Sequence, residues 1–335
     1  MYVFRNISPS IVFRFAWKPV LFFLLYATLV VYINHFLDHA GYEFGIPFLP
    51  LSTIGIAVAF YLGFKNNSSY DRFWEGRKIW GGIVNYSRTW GNQVLSFIDN
   101  KKMDLSERQA IEKELVYRHI AYIHALSLQL RQPTSFSIKH PKSVQTFKLD
   151  SPERKHWNEQ VGIFLDQEEY CHMIKYKNAA TQMIRKQGER LQELAEEDEV
   201  VNEFRFMEMM RVLEEFYNLQ GKCERIKNTP FPRQYAYFSK LFVWIFILLL
   251  PFGLVVEFEK ISHSYAFLAI PFSALISWIF YTFEVVGDNS EDPFENWIND
   301  VPMTALCRTI EIDLREMLGE TSLPEKIKPE NGILL

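Results

Sequence analysis

Cysteine is scarce in this chain: Cys171, Cys223 and Cys307 are the only three among 335 residues. An odd number, widely spaced and without a CxxC pair, builds neither a disulfide scaffold nor a zinc or dithiol redox site. A basic field is missing too. Lys and Arg number 36 against 40 Asp and Glu, a formal net charge of −4, which argues against a nucleic-acid binder. No HExxH, GxSxG, GxxxxGKS/T or GxGxxG motif occurs, so the sequence offers no catalytic constellation and no cofactor site, and an enzyme is a distant reading. Strand periodicity, internal repeats and low-complexity segments are absent as well.

Apolar and aromatic residues are abundant. The chain has 29 Phe, 16 Tyr and 8 Trp, and 48% of its residues are hydrophobic, which is too much apolar mass for disorder. The mean hydropathy of −0.08 suggests a soluble protein, but it averages two unlike populations. Four stretches contain no Asp, Glu, Lys or Arg: Pro19–Leu37, Phe44–Phe64, Leu241–Val256 and Ile261–Phe283. A bilayer core of about 30 Å needs roughly 20 apolar residues in a helix. The third stretch is shorter, yet Tyr235–Ser239 before it is mostly apolar and Lys240 can snorkel. One such run could be a core helix; four, paired as hairpins at the two ends of the chain, read as transmembrane helices.

Charge sets the orientation. Arg5, Arg14 and Lys18 precede the first span, the first connecting turn has Asp38 and Glu43, and the second, Glu257–Lys260, has one Lys. The positive-inside rule then puts both termini and the long middle segment in the cytoplasm. The N-terminus lacks a small-residue cleavage site and its apolar run is long, so it reads as a retained span rather than a signal peptide. The sequon Asn66-Asn67-Ser68 falls on the cytoplasmic side and is set aside. No ionisable Asp, Glu, Lys or Arg lies inside a span, which argues against a proton relay or ion-coupled pump. His35 and His39 flank Asp38 at i, i+4 near the outer turn; solvated interface residues are a plainer reading than a metal pair.

The middle segment is polar and helical. Ser106 and Gln109 form a capping-box pattern before the periodic set Ile111, Leu115, Ile120 and Ile123. Pro133 stops that helix, Pro141–Asp150 reads as a loop, and Ser151-Pro152 restarts a helix. Gly188 marks a weak point, and a further helix is expected over Val200–Gly221. The class is therefore all-α, in four parts: 1–64 with the first two spans, 65–233 a cytosolic helical bundle, 234–286 with the last two spans, and 287–335 a cytosolic C-terminal segment.

The second span holds the most information. Ile56, Phe60 and Phe64 recur at i, i+4 and i+8 along one slowly drifting stripe. Gly55, Ala57, Ala59 and Gly63 offer small surfaces for close helix approach. By itself such a stripe reads as core or lipid contact. It is followed by Lys65-Asn66-Asn67-Ser68-Ser69-Tyr70-Asp71-Arg72-Phe73-Trp74-Glu75-Gly76-Arg77-Lys78, which carries the helix out of the membrane through residues suited to pairing and stacking.

Here the chain resembles the bestrophin family of ion channels, in particular its bacterial branch. Gly63 through Asn67 and Asp71 through Arg77 look like that branch's most recognisable stretch. A second match is Glu291-Asp292-Pro293-Phe294 with Asn299-Asp300-Val301-Pro302 and Cys307-Arg308-Thr309-Ile310-Glu311; Ser8-Pro9-Ser10 through Trp17-Lys18-Pro19 is a weaker third. The resemblance runs from about residue 8 to about residue 320.

The resemblance implies a homopentamer in the inner membrane, conducting small ions passively through one central pore. Ile56, Phe60 and Phe64 match the residues of a narrow hydrophobic neck. Gly63, Asn66, Asn67 and Asp71 adjoin it, and Arg72, Trp74, Glu75 and Arg77 are expected to hold the helix junction below. Asp292, Pro293 and Phe294 form a turn that packs the last helix on the bundle. Animal members clasp calcium just after this Pro-Phe, in a run of Asp; here the stretch is Glu295-Asn296-Trp297-Ile298-Asn299-Asp300, so Asp300 and Asp292 are too few carboxylates for calcium and no metal is expected.

The sign of the ion stays open. Family weight favours chloride and similar anions; sodium is the alternative, and a non-conducting scaffold or receptor a third reading. Glu196-Glu197-Asp198-Glu199 would favour cations if it lined a vestibule, but it also suits the N-terminus of the next helix. Lys65, Arg72, Arg77 and Lys78 would favour anions just inside the neck, although Asp71 and Glu75 are spaced to pair with them.

Overall fold

The structure is a computed structural model that describes residues 1–42, 45–98, 103–134, 154–196 and 200–334. Among the described residues ten α-helices dominate, and no strand forms beyond isolated bridges such as Tyr2 to Ile333. Helix α1 is Pro9–His39, α2 Phe48–Phe97, α3 Leu105–Arg131, α4 Arg154–Gln160 and α5 Gln167–Met173. Helix α6 is Ala179–Glu196, α7 Glu203–Asn228, α8 Arg233–Glu259, α9 Ala269–Asn289 and α10 Met303–Met317. A 3₁₀ turn, His263–Leu268, leads into α9.

Four helical segments are long and apolar enough to cross a membrane: Pro9–His39, Phe48–Phe97, Arg233–Glu259 and His263–Asn289. Each runs past its charge-free stretch. Helix α1 starts ten residues before Pro19, which it carries inside. Helix α2 has 50 residues, a length of about 75 Å against a bilayer core of about 30 Å. Its prolines explain the continuity. Pro47 is the N-cap and Pro50 lies in the first turn, where a missing N–H costs nothing, and no proline follows within the helix.

Because α2 outruns the bilayer, it serves two cores. Its N-terminal half packs on α8 and α9, in a core that α1 completes, through Phe23, Val31, Leu51, Val58, Val243 and Ile247. Glycines on both helices allow close approach: a Cβ at Gly55 would lie 2.8 Å from Phe246 Cε2, and one at Gly253 of α8 2.3 Å from Leu51 Cδ2. Its inner half packs with α3, α6, α7 and α10 through Trp80, Trp90, Leu115, Leu191, Phe216 and Leu314.

Several local expectations change. Helix α3 starts at Leu105 with Asp104 as N-cap, so Ser106 sits in the first turn and donates to Asp104 Oδ2 at 2.5 Å instead of opening a capping box. The set Ile111, Leu115, Ile120 and Ile123 is buried as its period requires, and the helix ends two residues before Pro133. Gly188 breaks nothing: α6 runs through it, because the buried Met183, Ile184, Leu191 and Leu194 anchor both sides. Helix α7 is displaced from Val200–Gly221 to Glu203–Asn228, with Asn202 Oδ1 accepting from Arg205 N–H at 3.0 Å. Pro141–Asp150 and Ser151-Pro152 lie outside the described residues.

The largest revision concerns Lys65. Unlike Lys78, it does not lie on the exposed face that follows Phe64. It is 1% exposed, and its ammonium donates to Glu284 Oε1 at 2.9 Å and Asp288 Oδ1 at 2.5 Å. Ser239 Oγ donates to the other Glu284 oxygen at 2.8 Å. A buried ion pair gains little over apolar packing, but losing one partner strands a charge. K65M should therefore destabilise the protein by about 3–5 kcal/mol. The triple variant K65M/E284Q/D288N should recover part of that loss in detergent unfolding. A K65M variant as stable as the parent would show that the pair bears no weight.

Candidate functional site

Helix α2 has two unlike faces along its apolar half. Leu51, Val58, Leu62 and Lys65 are buried, while Ile56, Phe60 and Phe64 are 72%, 79% and 56% exposed. These three side chains lie largely open on the face opposite the packed one, and Phe64 also meets the Tyr235 ring of α8 with centroids 6.2 Å apart. Of the four small residues, only Gly55 is packed within the chain. Ala57 and Ala59 are exposed, and nothing approaches Gly63 within 4 Å.

Below the stripe the side chains divide between the two faces. Asn66 packs on the backbone of Gly287, where any Cβ would collide with Asn66 Oδ1. Asn67 is exposed, and its amide donates to Asp71 Oδ2 at 3.4 Å. Arg72 turns inward. Its Nε donates to the Glu291 carbonyl at 2.8 Å, and Nη1 and Nη2 donate to the Thr229 and Ile226 carbonyls at 2.9 Å each. Asp292 Oδ1 lies 3.6 Å away. One guanidinium thus satisfies carbonyls left open at the end of α7 and in the link after α9, where a cation is favoured. Glu75 pairs with Arg225 of α7. Trp74 does not reach the junction. It is exposed and stacks on Tyr70, with ring centroids 6.4 Å apart. Arg77 is half-buried. Neither carboxylate pairs with a cation of its own helix: Asp71 takes the Asn67 amide, and Glu75 reaches across to Arg225.

The C-terminal motif packs against the same helix. A Cβ on Gly76 would lie 3.1 Å from Phe294 Cζ and 3.4 Å from Pro293 Cγ, and Phe294 is buried. Asp300 Oδ2 accepts from Trp297 N–H at 2.9 Å, and burial holds its carboxyl well above the usual range. Lys227 Nζ meets Glu295 Oε1 at 3.1 Å. Glu291 Oε1 accepts from Phe231 N–H at 3.2 Å and Arg233 Nη1 at 3.0 Å, and its buried Oε2 has no hydrogen-bond partner. These carboxylates are thus committed to internal contacts. At the C-terminal end of α1, the His35 and His39 rings meet edge to face with centroids 4.6 Å apart. Glu196 closes α6 and does not open α7, and 197–199 lie outside the described residues.

Glu284 and Asp288 escaped the sequence reading. A signal was present: two carboxylates at i, i+4 near a helix C-terminus oppose its dipole and call for a cation.

Four helices apolar enough to cross a membrane, over a second helical core, define an all-α integral membrane protein. Over residues 1–316 the chain matches the bacterial and fungal bestrophin family, and it belongs to that family. It is 29% identical over 307 residues to the voltage-dependent anion channel-forming protein YneE of Escherichia coli K12, covering 91% of this chain and 88% of that one. A protein of the same description from Mesorhizobium japonicum is 31% identical over 281 residues, covering 84% of this chain and 77% of that one. The crystal structure of a bacterial bestrophin homologue from Klebsiella pneumoniae superposes with a TM-score of 0.74 at 25% identity, over 93% of this chain and 100% of that one.

Burial, with Asp292 alongside, pushes the Glu291 carboxyl from 4.5 up to about 7. Between these values the folded state keeps a proton that the unfolded chain has released. This group's contribution to stability is therefore complete below 4.5 and lost as pH rises through about 7. E291Q keeps an oxygen for Phe231 N–H and Arg233 but cannot ionise. Its melting temperature in detergent should fall less than the parent's on going from weakly acidic to weakly alkaline buffer. Equal slopes for the two proteins would place the titration elsewhere.

Proposed function

We propose that the protein is a homopentameric channel of the cell's inner membrane that passes small anions, chloride foremost, passively down their gradient. The observation that carries this reading is the exposure of Ile56, Phe60 and Phe64 on a helix whose opposite face is buried. Copies of the chain related by a ring would turn these side chains onto a shared axis and give three stacked apolar rings, the neck. The inner half of α2 would continue the wall of the conduit. A narrow apolar constriction gates by wetting and dewetting, so a small widening suffices. Phe rings present positive edges that partly replace an anion's lost water. The anion-channel names of the relatives support the sign, and the Klebsiella pneumoniae likeness supports the fold. Both termini and the inner core would lie in the cytoplasm, as Arg5, Arg14 and Lys18 favour. Arg72 and Glu75 would tie the neck helix to the cytosolic bundle.

Reconstitution in planar bilayers under a potassium chloride gradient tests the reading. The reversal potential should lie toward the chloride equilibrium value. A potential toward potassium would overturn the anion assignment, and no current from verified pentamers would overturn the channel itself. F60A and F64A should each raise open probability, because a wider or less apolar ring wets more easily. Unchanged gating in both would return the stripe to lipid contact.

A further inference from the structure

The exposed face of α2 does not end at Phe64. At steps of three, four or seven residues, which keep to one helix face, Asn67, Asp71, Trp74, Lys78, Asn85 and Asn92 are all exposed. The buried residues between them, among them Trp80, Ile83 and Trp90, form the inner core. A face that stays in register at 3.6 residues per turn along one long helix is a single straight ridge. Its chemistry changes along its length, from the apolar neck residues through a mixed section to neutral polar side chains.

Two charges stand on this ridge, Asp71 and Lys78. Asp71 follows Phe64 by seven residues, a rise of about 10 Å, and Lys78 follows by about 10 Å more. The other charges on the inner part of α2 lie off this ridge: Lys65 meets Glu284 and Asp288, Arg72 carbonyls and Asp292, Glu75 Arg225, and Arg88 Asp313 at 2.8 Å, while Arg77 is half-buried. Among the described residues Asp71 has only the Asn67 amide, and Lys78 forms no ion pair.

We propose that Asp71 and Lys78 form two successive rings of opposite charge on the conduit wall below the neck, and that the Asp71 ring restrains anion preference while the Lys78 ring sustains it. The proposal rests on the reading of α2 as the pore-lining helix. The two rings differ in leverage because of distance. Asp71 lies within about one Debye length of the neck, so its field acts on an ion that is shedding water there. Lys78 lies about two such lengths away and acts mainly on the local ion concentration. One carboxylate per subunit would therefore tune the chloride-to-potassium permeability ratio without any change in the neck.

The test is the reversal potential of wild type, D71N, K78Q and the off-ridge control E168Q in the same potassium chloride gradient. Glu168 is exposed on α5. D71N should raise the chloride-to-potassium permeability ratio by about threefold or more, and K78Q should lower it. E168Q should leave it unchanged. If D71N and K78Q both conduct with the wild-type ratio while F60A still alters gating, the charge rings are wrong and the channel reading stands. If E168Q shifts the ratio as far as D71N, the effect is one of net charge and the proposal also fails. Loss of assembly in both ridge variants would overturn it too, since side chains facing an open conduit have no packing role. No current from wild type would instead defeat the channel reading.

Discussion

The arrangement depends on the rotation of α2 about its own axis, and that rotation is held by one buried ammonium. Lys65 sits nine residues after Ile56, two and a half turns along, and therefore on the opposite side of the helix. Its charge is tolerable only where Glu284 and Asp288 meet it, with Ser239 completing the Glu284 carboxylate. Turning α2 by even one residue's angle would pull the ammonium from both partners. With Lys65 in place, Leu51, Val58 and Leu62 face the chain's own core, and Ile56, Phe60 and Phe64 face away.

A second fixture lies less than two turns further in. Arg72 joins the last carbonyls of α7 to the link that follows α9, and Glu75 adds Arg225 from α7. Phe294 closes on Gly76, where a larger residue would have no room. The two fixtures lie on the same helix on either side of the transition from apolar to polar surroundings. A disturbance in the second core would therefore reach Ile56, Phe60 and Phe64 through a continuous helix held at both points. The rigidity is electrostatic as well as steric, because neither Lys65 nor Arg72 can move without leaving buried acceptors unmet.

Much of the architecture was legible in the sequence because it follows from local rules. Length without charge marks a span, and a 3.6-residue period marks a buried stripe. The set Ile111, Leu115, Ile120 and Ile123 was found on that basis. Caps and weak points were less secure, since they compete with packing. Asp104 displaced Ser106 as cap, and Gly188 stayed helical because its neighbours on α6 are buried.

The amino-acid sequence by itself determined the class, the family and the spacing of Ile56, Phe60 and Phe64, all of which are readable along one strand of chain. Only the tertiary structure decided which face each charged residue takes. Lys65 lies 219 residues from Glu284, and Arg72 lies 157 from Thr229. Near neighbours at i, i+4 looked like the natural partners. A desolvated ion pair needs several acceptors converging from different helices, and such convergence exists only once the helices have packed.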